Sequence, residues 1–204
     1  MRRPALLRRP GGPRVAVRPG DGPAEAPEAH RVGLRLLVRG DRDEFLRLAA
    51  ESRGLHRPWT YPPERPEQFD ELYARSRRDD TVCLLACLRD GGQIAGVLII
   101  SQIVRGAFQS AYLGYYAHER HAGHGYMREA MVQTVAHAFG PLALHRLEAN
   151  IQPGNAPSIA LARRAGFRLE GYSPRYLLIG GRWRDHERYA ITADEHAERR
   201  RAEG

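Results

Sequence analysis

Lysine is absent from this sequence, and all 32 of its basic residues are arginine. The absence excludes a nucleotide-binding P-loop, because its Gly-Lys-Ser/Thr sequence needs a lysine. Long apolar runs are absent too: none approaches the ~20 residues that cross a membrane. Residues 1–20 also lack the apolar core of a secretory signal. These absences predict a cytoplasmic protein that does not act with a membrane.

Cysteine is scarce, with Cys83 and Cys87 as the two examples. Both lie in the apolar, strand-like run 81–88, where four strand rises separate them by ~13 Å, too far for a disulfide. No third or fourth soft metal ligand is near them in the sequence. We therefore predict two reduced core cysteines and no metal site.

The rest of the composition is typical of one globular domain, with 204 residues of which 42% are hydrophobic and 27% charged. The formal net charge of +8 favours an acidic partner, either the phosphates of a cofactor or a ribonucleoprotein surface. The alternative for most of the arginines is scattered, solvated charge. Direct sequence-specific binding of nucleic acid is not expected.

Composition divides the chain into three parts. Residues 1–30 are rich in Arg, Pro, Gly and Ala and predict a disordered arm. Residues 31–193 are expected to form the folded domain. Residues 194–204 predict a charged tail.

Hydrophobic periodicity predicts the element order β-α-α-β-β-β-α-β-α-β-β. A first helix is expected to begin at Asp41, with Glu44 at the spacing of a capping box. Successive hairpins and crossover helices imply a mixed sheet covered by helices, an α/β or α+β domain. The other expected helices are 66–77, 127–139 and 157–164, and the expected strands are 32–39, 81–89, 93–103, 111–117, 145–152, 167–170 with 176–179, and 182–192.

A short loop with the pattern Arg120-x-x-Gly123-x-Gly125 lies between the predicted strand 111–117 and the predicted helix 127–139. The first N–H groups of a helix have no partner within it and carry partial positive charge. Glycines let the backbone approach a phosphate closely. The loop therefore predicts an anion site, although an ordinary turn before a helix would have the same pattern.

Two further segments follow the loop along the chain. They are residues 150–158, Asn-Ile-Gln-Pro-Gly-Asn-Ala-Pro-Ser, and residues 165–171, Ala-Gly-Phe-Arg-Leu-Glu-Gly. With the loop, they resemble the acetyl-CoA motifs of the GNAT acetyltransferases. Within that family the chain is similar to the RimJ/RimL group of ribosomal-protein N-terminal acetyltransferases. The likeness to RimJ rests on the segments 104–108, 112–115, 176–179 and 181–186.

The resemblance implies a fold and a cofactor. The fold is a mixed, mostly antiparallel central sheet that is splayed between strands 4 and 5, with helices on both faces. The pantetheine arm of acetyl-CoA would lie between 111–117 and 145–152, and its pyrophosphate would lie on the backbone of the glycine loop. A backbone N–H at Tyr116 or Ala117 would hold the oxyanion. The implied cofactor-binding residues are Tyr116, Ala117, Arg120, His121, Gly123, His124, Gly125, Tyr126, Asn155 and Ser158.

The resemblance also implies catalytic roles. Ser158 would protonate the departing thiolate, although in the alternative it lies in the first turn of a helix that Asn155 merely caps. The glutamate that RimL-type enzymes use as the base falls on Leu177 here, so that role does not carry over. The remaining candidates are Glu148, for which an ion pair with Arg146 is the alternative, and two residues of the last hairpin, Tyr176 and His186.

A weak base favours an α-amine acceptor, because its pKa is ~7.7–8.0 whereas that of a lysine amine is ~10.4. The resemblance implies acetyl transfer to the N-terminal alanine of a ribosomal protein, with Trp59, Tyr61 and Asp185 as walls of the peptide site. Two alternatives stay open: a small amine or aminoglycoside as acceptor, and a non-catalytic factor in ribosome assembly.

Overall fold

The computed structural model describes residues 30–203, so the predicted arm, apart from its last residue, lies outside the described part. Within this part, seven strands form one mixed sheet in the order β1-β2-β3-β4-β5-β7-β6. The strands are β1 Val32–Leu36, β2 Thr81–Leu88, β3 Ile94–Val104, β4 Ser110–Ala117, β5 Arg146–Ile151, β6 Arg168–Ile179 and β7 Arg182–Thr192. The helices are α1 Arg42–Glu51, α2 Arg53–His56, α3 Pro66–Ser76, α4 Tyr126–Phe139, α5 Ala156–Arg164 and α6 Ala193–Glu203.

Neighbouring strands pair antiparallel except at the centre, where β4 and β5 are parallel and joined through α4. These two strands pair at three positions, the last of which joins Tyr112 to Glu148. Beyond that pair the described register ends, although β4 continues to Ala117 and β5 to Ile151. The sheet therefore opens between β4 and β5, which confirms the predicted splay.

The two faces of the sheet carry separate cores because side chains alternate along each strand. Leu98, Leu113 and Leu147 face one side and pack with Met131 of α4; we call this the α4 face. Leu85 and Val97 face the other side, with buried residues of α1 and α3 that include Phe45 and Phe69; we call this the α1 face. Helices thus cover both faces, as predicted.

Asp41 is the N-cap residue of α1, as predicted, but the predicted capping box does not form. Its carboxylate makes no cap bond to α1 and instead accepts the Val38 N–H at 2.8 Å and pairs with the Arg35 guanidinium. Glu44, the other half of the predicted box, accepts the backbone N–H of Ile94 at 3.1 Å. Asp41 thus acts locally, on residues three and six positions before it, whereas Glu44 fixes the start of β3 to α1 through a long-range contact that local spacing does not reveal.

The charged C-terminal segment forms a helix, α6, which the sequence analysis did not predict. A reciprocal capping box begins it: Glu195 accepts the Thr192 N–H at 2.8 Å, and the Glu195 N–H donates to Thr192 Oγ1 at 3.3 Å. The Thr-x-x-Glu spacing was a readable signal of this helix start. The two strand pieces predicted at 167–170 and 176–179 are one strand, β6, with register shifts in its pairing to β7.

Cys83 and Cys87 are free and buried on the α1 face, as predicted. Burial raises the pKa of the Cys83 thiol to about 12, so the thiol is un-ionised and inert at neutral pH. The two cysteines are packing residues.

Candidate active site

The open edge of β4 is the first element of the site. His118 N–H donates to Ala95 O at 2.9 Å, and the bonded pairs of an antiparallel ladder alternate along the strand. By this alternation Tyr116, which pairs with Val97, directs its backbone N–H toward β3. The backbone groups of Leu113, Tyr115 and Ala117 face the opening instead. The alternation therefore favours Ala117 over Tyr116 among the two predicted oxyanion donors.

His56, at the end of α2, lies against the open edge. Its Nε2 is 2.7 Å from Ala117 O, and because a carbonyl only accepts, Nε2–H is the donor. Burial lowers the pKa of His56, so the ring is neutral near pH 7. The sequence analysis missed His56, since nothing local in the sequence connects α2 to the end of β4.

The glycine loop begins α4. Gly123 and Gly125 have φ of 80° and 82°, the left-handed region that favours glycine, and Gly125 is the N-cap residue. The N–H groups of Tyr126 and Met127, in the first turn, have no partner within the helix. A Cβ at Gly123 would meet no atom within 4 Å, so the loop has open space in front of it. These features fit an anion site for a pyrophosphate.

Arg31 holds the loop and was missed by the sequence analysis. Its Nε donates to Glu129 Oε1 at 2.7 Å, and its Nη2 donates to His124 O at 2.8 Å. Its guanidinium also lies 4.8 Å from the ring centroid of Tyr126, on which the His124 ring stacks at 5.6 Å. One arginine thus ties the loop to the first turns of α4 from the strand side.

Arg120, the first residue of the loop pattern, pairs with another element. Its Nε lies 2.8 Å from Glu51 Oε2, at the end of α1. Its guanidinium is mostly exposed. A contact between Arg120 and a bound pyrophosphate stays a prediction, and in this structure the side chain bridges the loop to α1.

Ser158 and Asn155 lie at the start of α5, beside the open edge of β4. Asn155 Oδ1 accepts the Ser158 N–H at 3.2 Å, which makes Asn155 the N-cap, so its contact with pantetheine stays a prediction. Ser158 Oγ donates to the hydroxyl of Tyr115 at 2.8 Å, and that hydroxyl donates to Ser158 O at 3.0 Å. Burial raises the pKa of Tyr115 to about 12, although the bond from Ser158 acts to lower it. Tyr115, a further candidate, therefore orients the Ser158 hydroxyl.

The candidate bases differ in whether another side chain already occupies their proton-accepting atoms. Glu148 accepts from Arg146 Nε at 2.9 Å, the alternative considered from the sequence, and Arg146 also binds Glu170. His186 is buried, and its Nδ1 lies 3.0 Å from Arg184 O, so Nδ1 carries the proton. That leaves the lone pair on Nε2. Burial lowers the pKa of His186, so the ring is neutral near pH 7 and suited to accept a proton.

Tyr176 links His186 to the centre of the sheet. The rings of Tyr176 and His186 lie 6.2 Å apart, centroid to centroid. A hydrogen bond to Tyr176 is the largest cause that raises the pKa of Tyr112, the β4 residue paired with Glu148. The α1 face thus carries a polar row, Tyr112, Tyr176 and His186, that borders the opening.

A cleft of about 410 Å³ lies at the end of β5. Three aromatic rings and two charged side chains are among its walls, and the lining residues are Trp59, Gln152, Pro153, Gly154, Tyr172, Trp183, Arg184 and Asp185. Asp185 accepts from the Tyr172 hydroxyl and from the Arg175 N–H. Of the predicted peptide walls, Trp59 and Asp185 line this cleft; Tyr61 is not among its lining residues and packs against Gly180 at the tip of the β6–β7 hairpin.

Comparison with known proteins defines the class. Residues 31–168 match the family model described as acetyltransferase (GNAT) domain. The match spans most of the chain, and the chain belongs to the GNAT acetyltransferase family. With the splayed sheet and the glycine loop, this makes it an acetyl-CoA-dependent N-acetyltransferase. Among residues 30–203, no helix is long and apolar enough to cross a membrane, and no cluster of side chains is suited to a metal ion.

The chain is also similar to particular members of the family. The chain is 33% identical over 185 residues to ribosomal protein uS5-alanine N-acetyltransferase of Escherichia coli (strain K12), covering 84% of this chain and 95% of that one. It is 32% identical over 166 residues to the probable N-acetyltransferase YjcK of Bacillus subtilis (strain 168), covering 78% and 92%. Among solved structures, Mycobacterium smegmatis RimJ in complex with CoA-disulfide has a TM-score of 0.74 at 32% identity, covering 85% of this chain and 89% of that one.

Proposed function

We propose that this enzyme transfers acetyl from acetyl-CoA to an N-terminal α-amine, that of an alanine in a ribosomal protein. The observation that carries the proposal is the 33% identity, over 84% of this chain and 95% of the relative, to an enzyme named for that reaction. The cleft beside the opening supports it, because aromatic and charged walls suit a peptide. The placement in the cytoplasm follows from the same proposal.

The proposed chemistry is direct attack in a ternary complex. Pantetheine lies along the open edge of β4, and a backbone N–H of that edge donates a hydrogen bond to the thioester carbonyl oxygen. The neutral amine attacks the carbonyl carbon, the C–S bond breaks, and the CoA thiolate leaves. Ser158, oriented by Tyr115, gives the thiolate its proton and takes up a proton from solvent as the thiol leaves. The amine loses a proton to His186 Nε2 through a water, since Glu148 is held by Arg146.

Thiol release from acetyl-CoA tests the proposal. The acceptors are peptides with Ala, Ser or Met at a free N-terminus, a lysine peptide with a blocked N-terminus, and several small amines and aminoglycosides. We expect turnover with the free Ala and Ser peptides and little with the blocked lysine peptide, because the lysine amine costs about 4 kcal/mol to deprotonate at pH 7.5. Activity on small amines alone would replace the proposed acceptor. Binding of acetyl-CoA with no turnover on any acceptor would favour the non-catalytic alternative.

A further inference from the structure

Gly114 is an exposed glycine in β4, the strand at the centre of the opening. Its backbone is not in the left-handed region, so the conformation does not require glycine. A Cβ built there would meet no atom within 4 Å, so packing does not require glycine either. Glycine weakens a strand interior, and such a residue often marks a place where a ligand approaches closely. The missing side chain leaves a niche in the middle of the sheet.

Register defines the walls of this niche. Gly114 pairs with Ile99 on β3, and its neighbours on the same face of β4 are Tyr112 and Tyr116. Because Tyr112 pairs with Glu148, continuing two residues along each strand brings Asn150 across the opening from Gly114 on the same face. All of these side chains belong to the α1 face, the face that carries His186 and Tyr176.

Three polar atoms around the niche are buried and have no hydrogen-bond partner among the described residues: the Tyr116 hydroxyl, Asn150 Oδ1, and Nε of Arg188, the β7 residue that pairs with Asn150. A buried polar group without a partner is costly, so the exceptions point to a ligand or a water that completes them. The hydroxyl and the amide oxygen accept hydrogen bonds, and an amine donates them. The guanidinium of Arg188 favours the neutral amine over the ammonium form. The polar atoms and the open space thus call for one small group with N–H donors.

We propose that Gly114 forms the floor of a pocket that receives the α-amine and the small first side chain of the acceptor. This proposal rests on the proposed function. It adds which part of the enzyme selects the first amino acid of the acceptor peptide. The amine donates to Asn150 Oδ1 and to the Tyr116 hydroxyl, and an Ala or Ser side chain occupies the niche over Gly114. The open-edge N–H groups of Leu113 and Tyr115 flank this position, so an amine held there lies next to a thioester in the opening.

The experiment compares Gly114→Val with Gly33→Val. Gly33 is the matched control, since it also lies in a strand, has no left-handed backbone, and has no atom within 4 Å of a built Cβ. For both variants we measure the thermal midpoint, acetyl-CoA affinity by calorimetry, and kcat/KM on Ala-, Ser- and Met-initiated peptides. We expect Gly114→Val to keep its fold and acetyl-CoA affinity while kcat/KM on Ala peptides falls at least about tenfold. Gly33→Val should match the wild type in all three.

A graded variant protects the test against misfolding. Gly114→Ala adds one carbon, and we expect it to lower kcat/KM more on Ser peptides than on Ala peptides, because less room remains for the larger side chain. An unchanged kcat/KM on all peptides in both Gly114 variants would overturn the pocket while the proposed function stood. A loss of acetyl-CoA affinity as large as the loss of kcat/KM would also overturn the pocket. If the wild type acetylates small amines and no peptide, the proposed function fails. If Gly114→Val then acetylates those amines as fast as the wild type does, the pocket is overturned as well.

Discussion

At the scale of the residue, the hydroxyl of Ser158 is the best-defined proton donor near the opening. Its proton points to Tyr115, at 2.8 Å, and its own backbone N–H is held by Asn155. Two contacts therefore hold Ser158, one at its side chain and one at its backbone. Such fixed placement is what general acid catalysis requires, and it contributes about 10²–10⁴ in rate.

Ser158→Ala should lower kcat by about a hundredfold and leave acetyl-CoA affinity within about twofold of the wild type. Tyr115→Phe, which keeps the ring and removes the orienting hydroxyl, should lower kcat less. Ser76→Ala is the control, because Ser76 Oγ donates to Tyr73 O at the end of α3, outside the site. Steady-state kinetics with calorimetry separates the two effects. Wild-type turnover of Ser158→Ala would remove Ser158 from the acid role.

At the scale of the element, the β4–loop–α4 unit combines the open edge with the helix start. The loop is short and both of its glycines are left-handed, so the chain turns from strand to helix with the backbone exposed. Arg31 holds the far side of the loop through His124 and Glu129. The unit is therefore shaped before any ligand binds.

Gly123→Glu should weaken acetyl-CoA binding at least about tenfold, because it places a carboxylate where the pyrophosphate is proposed to lie. Gly92→Glu is a matched control: Gly92 also has a left-handed backbone, with φ of 71°, and no atom within 4 Å of a built Cβ. The backbone strain of the two variants is thus similar, and Gly92 lies in the β2–β3 turn, outside the loop. Calorimetry with acetyl-CoA measures the difference. Equal affinities would contradict the pyrophosphate assignment.

Elements with a local signature were predictable from the sequence. The glycine loop, α4 and the β2–β3 hairpin have bounds within a residue or two of the prediction, because turn glycines and apolar spacing determine them locally. Long-range contacts were not predictable: the carboxylate of Glu44 accepts the backbone N–H of Ile94 across 50 residues of sequence, and His56 reaches Ala117 across 61. The niche at Gly114 needed the register of three strands, which a sequence alone does not specify.

At the scale of the whole molecule, buried histidines connect the site to stability. His56, Tyr116 and His118 form a cluster of rings on the α1 face, with centroids 5.2 to 6.3 Å apart. Burial, and then the neighbouring His56 and His121, lower the pKa of His118 to about 4. The unfolded chain therefore binds a proton at His118 more readily than the folded chain does.

Stability should consequently fall as the pH drops from about 6.5 toward 4, with His118 alone contributing up to about 3 kcal/mol. Urea unfolding between pH 7 and pH 5 avoids the carboxylates with lowered pKa, such as Glu170, which lose their contribution only below about pH 4.5. Other buried histidines, such as His56 and His186, contribute to the slope over the same interval because burial lowers their pKa too. His118→Gln cannot titrate and should reduce the slope by the His118 share. A wild-type slope in the variant would show that His118 is not the group responsible.

The opening of the sheet between β4 and β5 has a consequence for the resistance of the enzyme to heat and proteolysis. Without its donor, the middle of the sheet keeps a stretch in which the facing edges of β4 and β5 are not paired with each other. A donor that lies there binds the folded chain and has no site on the unfolded one, so at a hundred times its dissociation constant it stabilises the fold by about 2.7 kcal/mol. Proteolysis and heat both act through the unfolded population. We therefore expect the enzyme to resist heat and proteolysis for longer when acetyl-CoA is abundant, and to be lost faster when acetyl-CoA is depleted.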